Sequence, residues 1–226
     1  RTSVGVRKMN IEKETDYIAR RRYRGLEDIL LACGVKEEEI PEGFWDALAN
    51  NLACGETHLL LTRRVNPFSP NNYLFAFYSD TLVHPSAQVN AILERNKEKA
   101  KALCTLLNSI IFLAYFFLLK EETTGRYINL TSFDIYQMNL CPQENVIEKL
   151  ADVFDRYSNL KFPSLRDQLD KNFDSRYEAF WKEKRRGQTT LFDLPVEPHP
   201  LRVKFDKDVC TSLGVNVSKD ELTKVY

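Results

Sequence analysis

The spacing of hydrophobic residues changes along the chain and separates helical segments from extended ones. Residues 11–32 and then 44–52 place apolar side chains at helical spacing. Residues 57–65 and 72–79 are instead rich in leucine, β-branched and aromatic side chains, with a cluster of proline, asparagine and serine between them. The pattern predicts two helices, followed by a strand, a turn and a second strand.

A long apolar stretch follows the two strands. Residues 96–120 are predicted to form one helix, and its most apolar part, 103–119, is interrupted by Asn108 and Ser109. That part falls short of the ~20 residues that cross a bilayer. Lysines at the start of the helix suit one that enters a globular core, so we expect a buried helix and no membrane partner.

The rest of the chain is mainly helical. A strand and a short helix beginning near Ser132 come first. Residues 143–160 and 164–187 then show the 3.6-residue period of amphipathic helices. A proline-rich linker near 195–200 precedes two short helices around Gly214.

Together these segments predict an α+β fold. A small mixed β-sheet packs with the long buried helix and is flanked by helical N- and C-terminal segments. We expect a helical N-terminal segment over 1–56, an α/β core over 57–142 and a helical C-terminal region over 143–226.

The amino-acid composition indicates a folded globular protein but does not identify a binding partner. The 226 residues are 43% hydrophobic, which is enough to bury a substantial core. Lysine plus arginine and aspartate plus glutamate number 32 each, so net charge does not point to nucleic acid. A basic surface would have to arise from local segregation of charge.

The cysteines and histidines do not form a recognisable metal or disulfide pattern. No pair has the spacing of a zinc knuckle. We therefore expect reduced cysteines in a cytoplasmic protein and no metal site. The cysteines are Cys33, Cys54, Cys104, Cys141 and Cys210.

Catalytic motifs are incomplete. Asn66-Pro67-Phe68 nearly matches the Asn-Pro-Pro-aromatic motif with which amino-methyltransferases hold an extruded adenine, but the second proline is missing. The eight glycines never form a G-x-G loop for a cofactor. Carboxylates in 133–137 and 202–208 lack the spacing of a nuclease site. We expect a turn with a partly buried Phe68, no cofactor in this chain and no catalytic residue.

Basic, amide and hydroxyl side chains next to aromatic ones are the strongest candidates for DNA contact. Such groups on loops suit phosphate contacts and the reading of base edges, although ordinary surface arginines have the same composition. Two groups lie on predicted loops, and a third lies in the basic end of the predicted helix 164–187. The candidates are Arg63, Arg64, Asn66, Asn72, Tyr73, Thr123, Thr124, Arg126, Tyr127, Arg185 and Arg186.

Four motifs occur in an order that resembles a known family. They are Leu107-Asn108-Ser109, Thr124-Gly125-Arg126-Tyr127, Leu140-Cys141-Pro142 and the closing R-x-x-F-D-x-x-V-x-x-x-L-G-V of 202–215. With the aromatic-rich strands before them, they resemble the region C-terminal to the catalytic domain in N6-adenine DNA methyltransferases of restriction-modification systems. The resemblance covers residues 57–226.

The resemblance implies a target-recognition domain that binds double-stranded DNA. DNA methylation would then be carried out by an N-terminal catalytic methyltransferase domain of the same parent protein, with S-adenosylmethionine as that domain's cofactor. The alternatives are a protein-interaction or assembly domain of a restriction-modification complex, using the helices of 143–186, and a nuclease domain.

Overall fold

The computed structural model contains both helices and strands, and the predicted α+β fold is confirmed. The predicted helices over 11–32 and 44–52, and the one near Ser132, lie outside the described residues. The structure describes residues 6–11, 32–36, 39, 55–83, 85, 89–119, 128–130, 142–185 and 196–226.

In the described chain four strands come first, then two helices and a short fifth strand, and helices make up the rest. The strands are β1 (Thr57–Thr62), β2 (Arg64–Val65), β3 (Ala76–Val83), β4 (Val89–Ile92) and β5 (Ile128–Asn129). The helices are α1 (Lys97–Leu107), α2 (Ile110–Leu119), α3 (Glu144–Tyr157), α4 (Leu165–Leu169), α5 (Phe173–Arg185), α6 (Pro200–Ser212) and α7 (Lys219–Val225).

The main sheet has the order β3-β1-β4, and all six residues of the central strand β1 are buried. Both neighbours pair with β1 in antiparallel fashion, and an isolated parallel bridge outside the strands joins Asn10 to Tyr78. The predicted strand pair is confirmed, although the second strand begins at Ala76 rather than at residue 72. β4 was not predicted, because its four residues carry no clear alternation.

The apolar stretch predicted as one helix over 96–120 is divided in two. α1 and α2 meet at a bend of 63°, with Asn108 and Ser109 at the break. The Asn108 side chain is buried and bonds to β3 and the preceding loop rather than to solvent. Its Oδ1 accepts hydrogen bonds from the N–H groups of Phe75 and Ala76, and its Nδ2 donates to the carbonyl of Ala76.

Most of the described side chains of this stretch are buried, whereas Ile111 and Tyr115 are exposed. Phe112 and Phe116 of α2 pack edge-on against Phe75. Among the described residues no single helix is long and apolar enough to cross a membrane. In the part of the chain that the structure describes, one bent pair, α1 with Ile110–Phe116, is long and apolar enough when taken together.

The C-terminal helices pack onto this core. α3 is present as predicted, and its Leu150 carbonyl accepts a hydrogen bond from the buried Thr105 hydroxyl of α1. The contact crosses the domain boundary expected at residue 142. α6 and α7 are the two short helices predicted around Gly214, whose φ of +78° suits the turn that ends α6.

The helix predicted over 164–187 is also divided. α4 ends before Asp170, and α5 starts at Phe173. The Asp170 carboxylate accepts hydrogen bonds from the backbone N–H of Asn172 and from Arg176. These local bonds compete with continuation of the helix, so amphipathic spacing alone did not reveal the break.

The described cysteines differ in their access to solvent, which predicts different reactivity. Cys33 is exposed, whereas Cys104 and Cys210 are buried and burial raises the pKa of both thiols. Because the thiolate is the nucleophile, iodoacetamide should modify Cys33 of the native protein well before the other two. Peptide mapping by mass spectrometry measures the order. Equal rates before denaturation would contradict the buried positions.

Candidate nucleic-acid interface

A second, two-stranded sheet joins two distant parts of the chain. β2 pairs with β5, so that Arg64 lies opposite Asn129 and Val65 lies opposite Ile128. The Arg64 Nε donates a hydrogen bond of 3.1 Å to the Asn129 Oδ1, and the Leu130 N–H donates one of 3.0 Å to the Arg63 carbonyl. Ile128 directly follows the predicted contact segment Thr123–Tyr127 in the sequence. β5 therefore begins beside the arginines of the first segment.

The loop after β2 is held by its own hydrogen bonds. The Asn66 Oδ1 accepts a hydrogen bond of 3.0 Å from the Phe68 N–H. The Asn66 carbonyl accepts from the Ser69 N–H at 3.0 Å and from the Asn72 Nδ2 at 2.8 Å. The predicted turn is present. Phe68, however, is 56% exposed, where a partly buried ring was expected.

The predicted contact residues of this loop divide into exposed and buried ones. Arg63 and Arg64 are exposed, and Asn66 is half-buried. Asn72 and Tyr73 are buried. The Tyr73 hydroxyl accepts a hydrogen bond of 3.1 Å from the Arg7 Nη2. Asn72 and Tyr73 thus shape the loop from within, and the two arginines are its outward-facing cations.

The other predicted contact residues are not placed by the structure. Arg185 is the last residue of α5, and its side chain lies outside the described part of the chain. The remaining candidates outside the described residues are Thr123, Thr124, Arg126, Tyr127 and Arg186.

A buried polar network beneath the loop was not predicted. The Gln168 Nε2 donates to the Tyr73 carbonyl at 2.6 Å, and its Oε1 accepts from the Arg202 Nη1 at 3.0 Å. The Arg202 Nε donates to the Asp206 Oδ2 at 2.6 Å. Arg202 and Asp206 are four residues apart on α6, a spacing that places them on one helix face. The spacing of Arg202 and Asp206 could be recognised in the sequence, but it does not reveal their distant partners Gln168 and Ile110.

Asp206 connects the network to the break between α1 and α2. Its Oδ1 accepts a hydrogen bond of 2.8 Å from the Ile110 N–H, the first residue of α2, and its Oδ2 accepts one of 2.5 Å from the Tyr226 hydroxyl. Burial raises the pKa of the Asp206 carboxyl, and the Arg202 charge and the hydrogen bonds oppose that rise. Burial and the nearby Asp206 also raise the pKa of Tyr226, which keeps its hydroxyl a donor.

The network therefore fixes the loop from below. A path of hydrogen bonds runs from α2 through Asp206, Arg202 and Gln168 to the backbone of Tyr73, next to the loop. The path joins Asp206, in the segment 202–215, to Ile110, which directly follows Leu107-Asn108-Ser109. Both motifs thus act as scaffold in the described structure.

No group of three or more histidine, cysteine, aspartate or glutamate side chains in the described ranges is arranged to hold a metal ion.

Comparison with known proteins does not help to interpret this site. No family model matches the chain, and no curated protein or solved structure is significantly similar to it.

Proposed function

We propose that this chain is the target-recognition region of an N6-adenine DNA methyltransferase in a restriction-modification system. It binds double-stranded DNA in the cytoplasm for methylation by a separate N-terminal catalytic domain of the parent protein. The observation that carries the proposal is the β2–β5 pairing. It brings Arg63 and Arg64 beside the start of β5, directly after the segment Thr123–Tyr127.

The chemistry of these two segments suits DNA. Arg63 and Arg64 are exposed cations directly before a loop whose backbone is held by internal hydrogen bonds. Guanidinium groups bind phosphates and position a protein on the duplex, whereas contacts to base edges select the sequence. In the proposal Arg63 and Arg64 position the duplex, and Arg126 with its neighbouring threonines reads bases.

In this proposal catalysis takes place in another domain and not in this chain. The order of the four motifs supports a recognition region. Adenine extrusion and methyl transfer belong to the catalytic domain, which binds S-adenosylmethionine. The residues of this chain hold the duplex in register with that domain, and the Asn108 and Asp206 contacts stabilise the core next to the loop.

The paired substitution Arg63→Ala and Arg64→Ala tests the phosphate contacts. Loss of two contacts should weaken binding to every duplex and reduce the slope of log affinity against log salt by about 2. Fluorescence anisotropy over a salt series measures both effects. Lys224→Ala, which removes an exposed cation from α7, is the control and should change neither.

Arg126→Ala tests base reading. If Arg126 contacts a base edge, specific binding should weaken by about 1–3 kcal/mol while binding to random duplex is retained. A duplex enriched from a randomised pool by the wild-type protein supplies the specific probe. Unchanged affinity for both probes would contradict the assignment of Arg126.

The two other readings have their own outcomes in the same experiments. Association with a partner protein without any affinity for duplex DNA would favour an assembly domain. Magnesium-dependent cleavage of plasmid would favour a nuclease.

A further inference from the structure

Three aromatic rings form a row on the surface beside the loop. Phe68 packs against Phe173 with ring centroids 6.1 Å apart and 33° between the planes, and Phe173 stacks on Tyr177 at 6.0 Å and 12°. Phe68 and Tyr177 are 56% and 46% exposed. We call these three residues the aromatic row.

The row is supported from several sides. The Arg166 guanidinium lies over the Phe173 ring at 5.5 Å, and its Nη2 bonds to the Asp174 carboxylate at 2.8 Å. Phe68 is held in its turn by the bond from its own N–H to the Asn66 side chain, its ring packs against Phe173, and the preceding Pro67 is buried. The ring is therefore oriented before any ligand binds, which lowers the entropic cost of a contact.

Charge and position relate the row to the proposed DNA surface. Phe68 lies four residues after Arg64 on the same loop, and Arg63 and Arg64 are exposed. Exposed cations close in sequence to an exposed ring suit a surface that binds unpaired nucleotides, on which cations follow the backbone and the ring stacks on a base. An apolar protein partner would not require the two guanidinium groups.

We propose that Phe68 is a stacking platform for an unpaired DNA base. The inference rests on the proposed function and adds a site to it. A ring supported on one side by Phe173 offers its remaining surface to one base, whereas a wedge between two base pairs needs both faces. Enzymes that modify adenine in a duplex extrude it from the stack, so its partner base is left unpaired. Phe68 binds such an unpaired base.

The test does not require the recognition sequence, because stacking on an aromatic ring tolerates every base. Fluorescence anisotropy compares a labelled intact duplex with the same duplex carrying a short single-stranded gap of thymines. Wild-type protein should bind the gapped probe more tightly. Phe68→Ala should weaken binding to the gapped probe by roughly 5- to 100-fold and binding to the intact duplex by less than about twofold.

Two further variants separate stacking from general hydrophobicity. Phe68→Trp should retain the preference for the gapped probe, whereas Phe68→Leu should lose it, since leucine is apolar without an aromatic face. Leu93→Ala truncates another exposed apolar side chain, 65% exposed, and should leave both affinities unchanged.

The outcomes distinguish the stacking site from the proposed function. Salt-sensitive duplex binding with equal effects of Phe68→Ala on both probes would overturn the stacking platform and leave DNA recognition in place. Failure of wild-type protein to bind either probe would overturn both.

Discussion

Asn108→Leu is expected to lower the free energy of unfolding by about 2–4 kcal/mol, because it leaves several buried backbone groups without partners. Asn108 is 1% exposed, and its Oδ1 accepts from the N–H groups of Phe75 and Ala76 at 2.8 and 3.1 Å. Its Nδ2 donates to the carbonyls of Ala76 and Cys104 at 2.9 and 3.0 Å. Leucine fills a similar volume but makes none of these bonds.

Urea denaturation followed by circular dichroism measures the change. The matched control is Asn145→Leu, which makes the same substitution at an exposed position of α3 and should shift stability by no more than about 0.5 kcal/mol. If Asn108→Leu were as mild as the control, the side chain would not be the link between the helix break and β3.

The second large effect is expected for Asp206→Ala, which should cost about 3–5 kcal/mol because it leaves a buried charge uncompensated. Arg202 is 1% exposed and Asp206 is fully buried, so water does not replace the lost carboxylate readily. The Ile110 N–H at the start of α2 loses its acceptor as well. Thermal and urea unfolding measure the loss.

A double substitution separates the cost of the orphaned charge from the value of the ion pair. Arg202→Met combined with Asp206→Leu removes both charges and should cost less than Asp206→Ala alone. Glu178→Ala breaks the exposed pair with Lys182 on α5 and should change stability by less than about 1 kcal/mol. A double variant less stable than Asp206→Ala would contradict this account of the buried pair.

Much of the fold was predictable because its signals are local. β1, the turn after β2 and α3 each follow from the period and composition of a short window. The turn around Gly214 was predictable because glycine is the residue type that adopts a positive φ without strain. At the candidate interface, Arg63 and Arg64 are exposed at the point where the strand gives way to the polar turn.

Other features of the fold could not be predicted from any short stretch of the sequence. β4 is four residues long and exists as a strand because it pairs with β1. Asn72 and Tyr73 were expected at the surface from their polar groups. They are buried because Asn66, Arg7 and Gln168, distant in part along the chain, satisfy them inside the fold.

The sequence by itself determined the kinds of element, their order and the loop that carries the exposed arginines, since periodicity and turn residues act over a few positions. Only the tertiary structure decided where the long apolar stretch breaks and what lies beside the loop. The polar residues Asn108 and Ser109 were visible in the sequence. The acceptor that caps the new helix is Asp206, 96 positions after Ile110, and folding alone brings these two residues together. The same holds for β2 and β5, whose pairing depends on hydrogen bonds between segments that no local pattern connects.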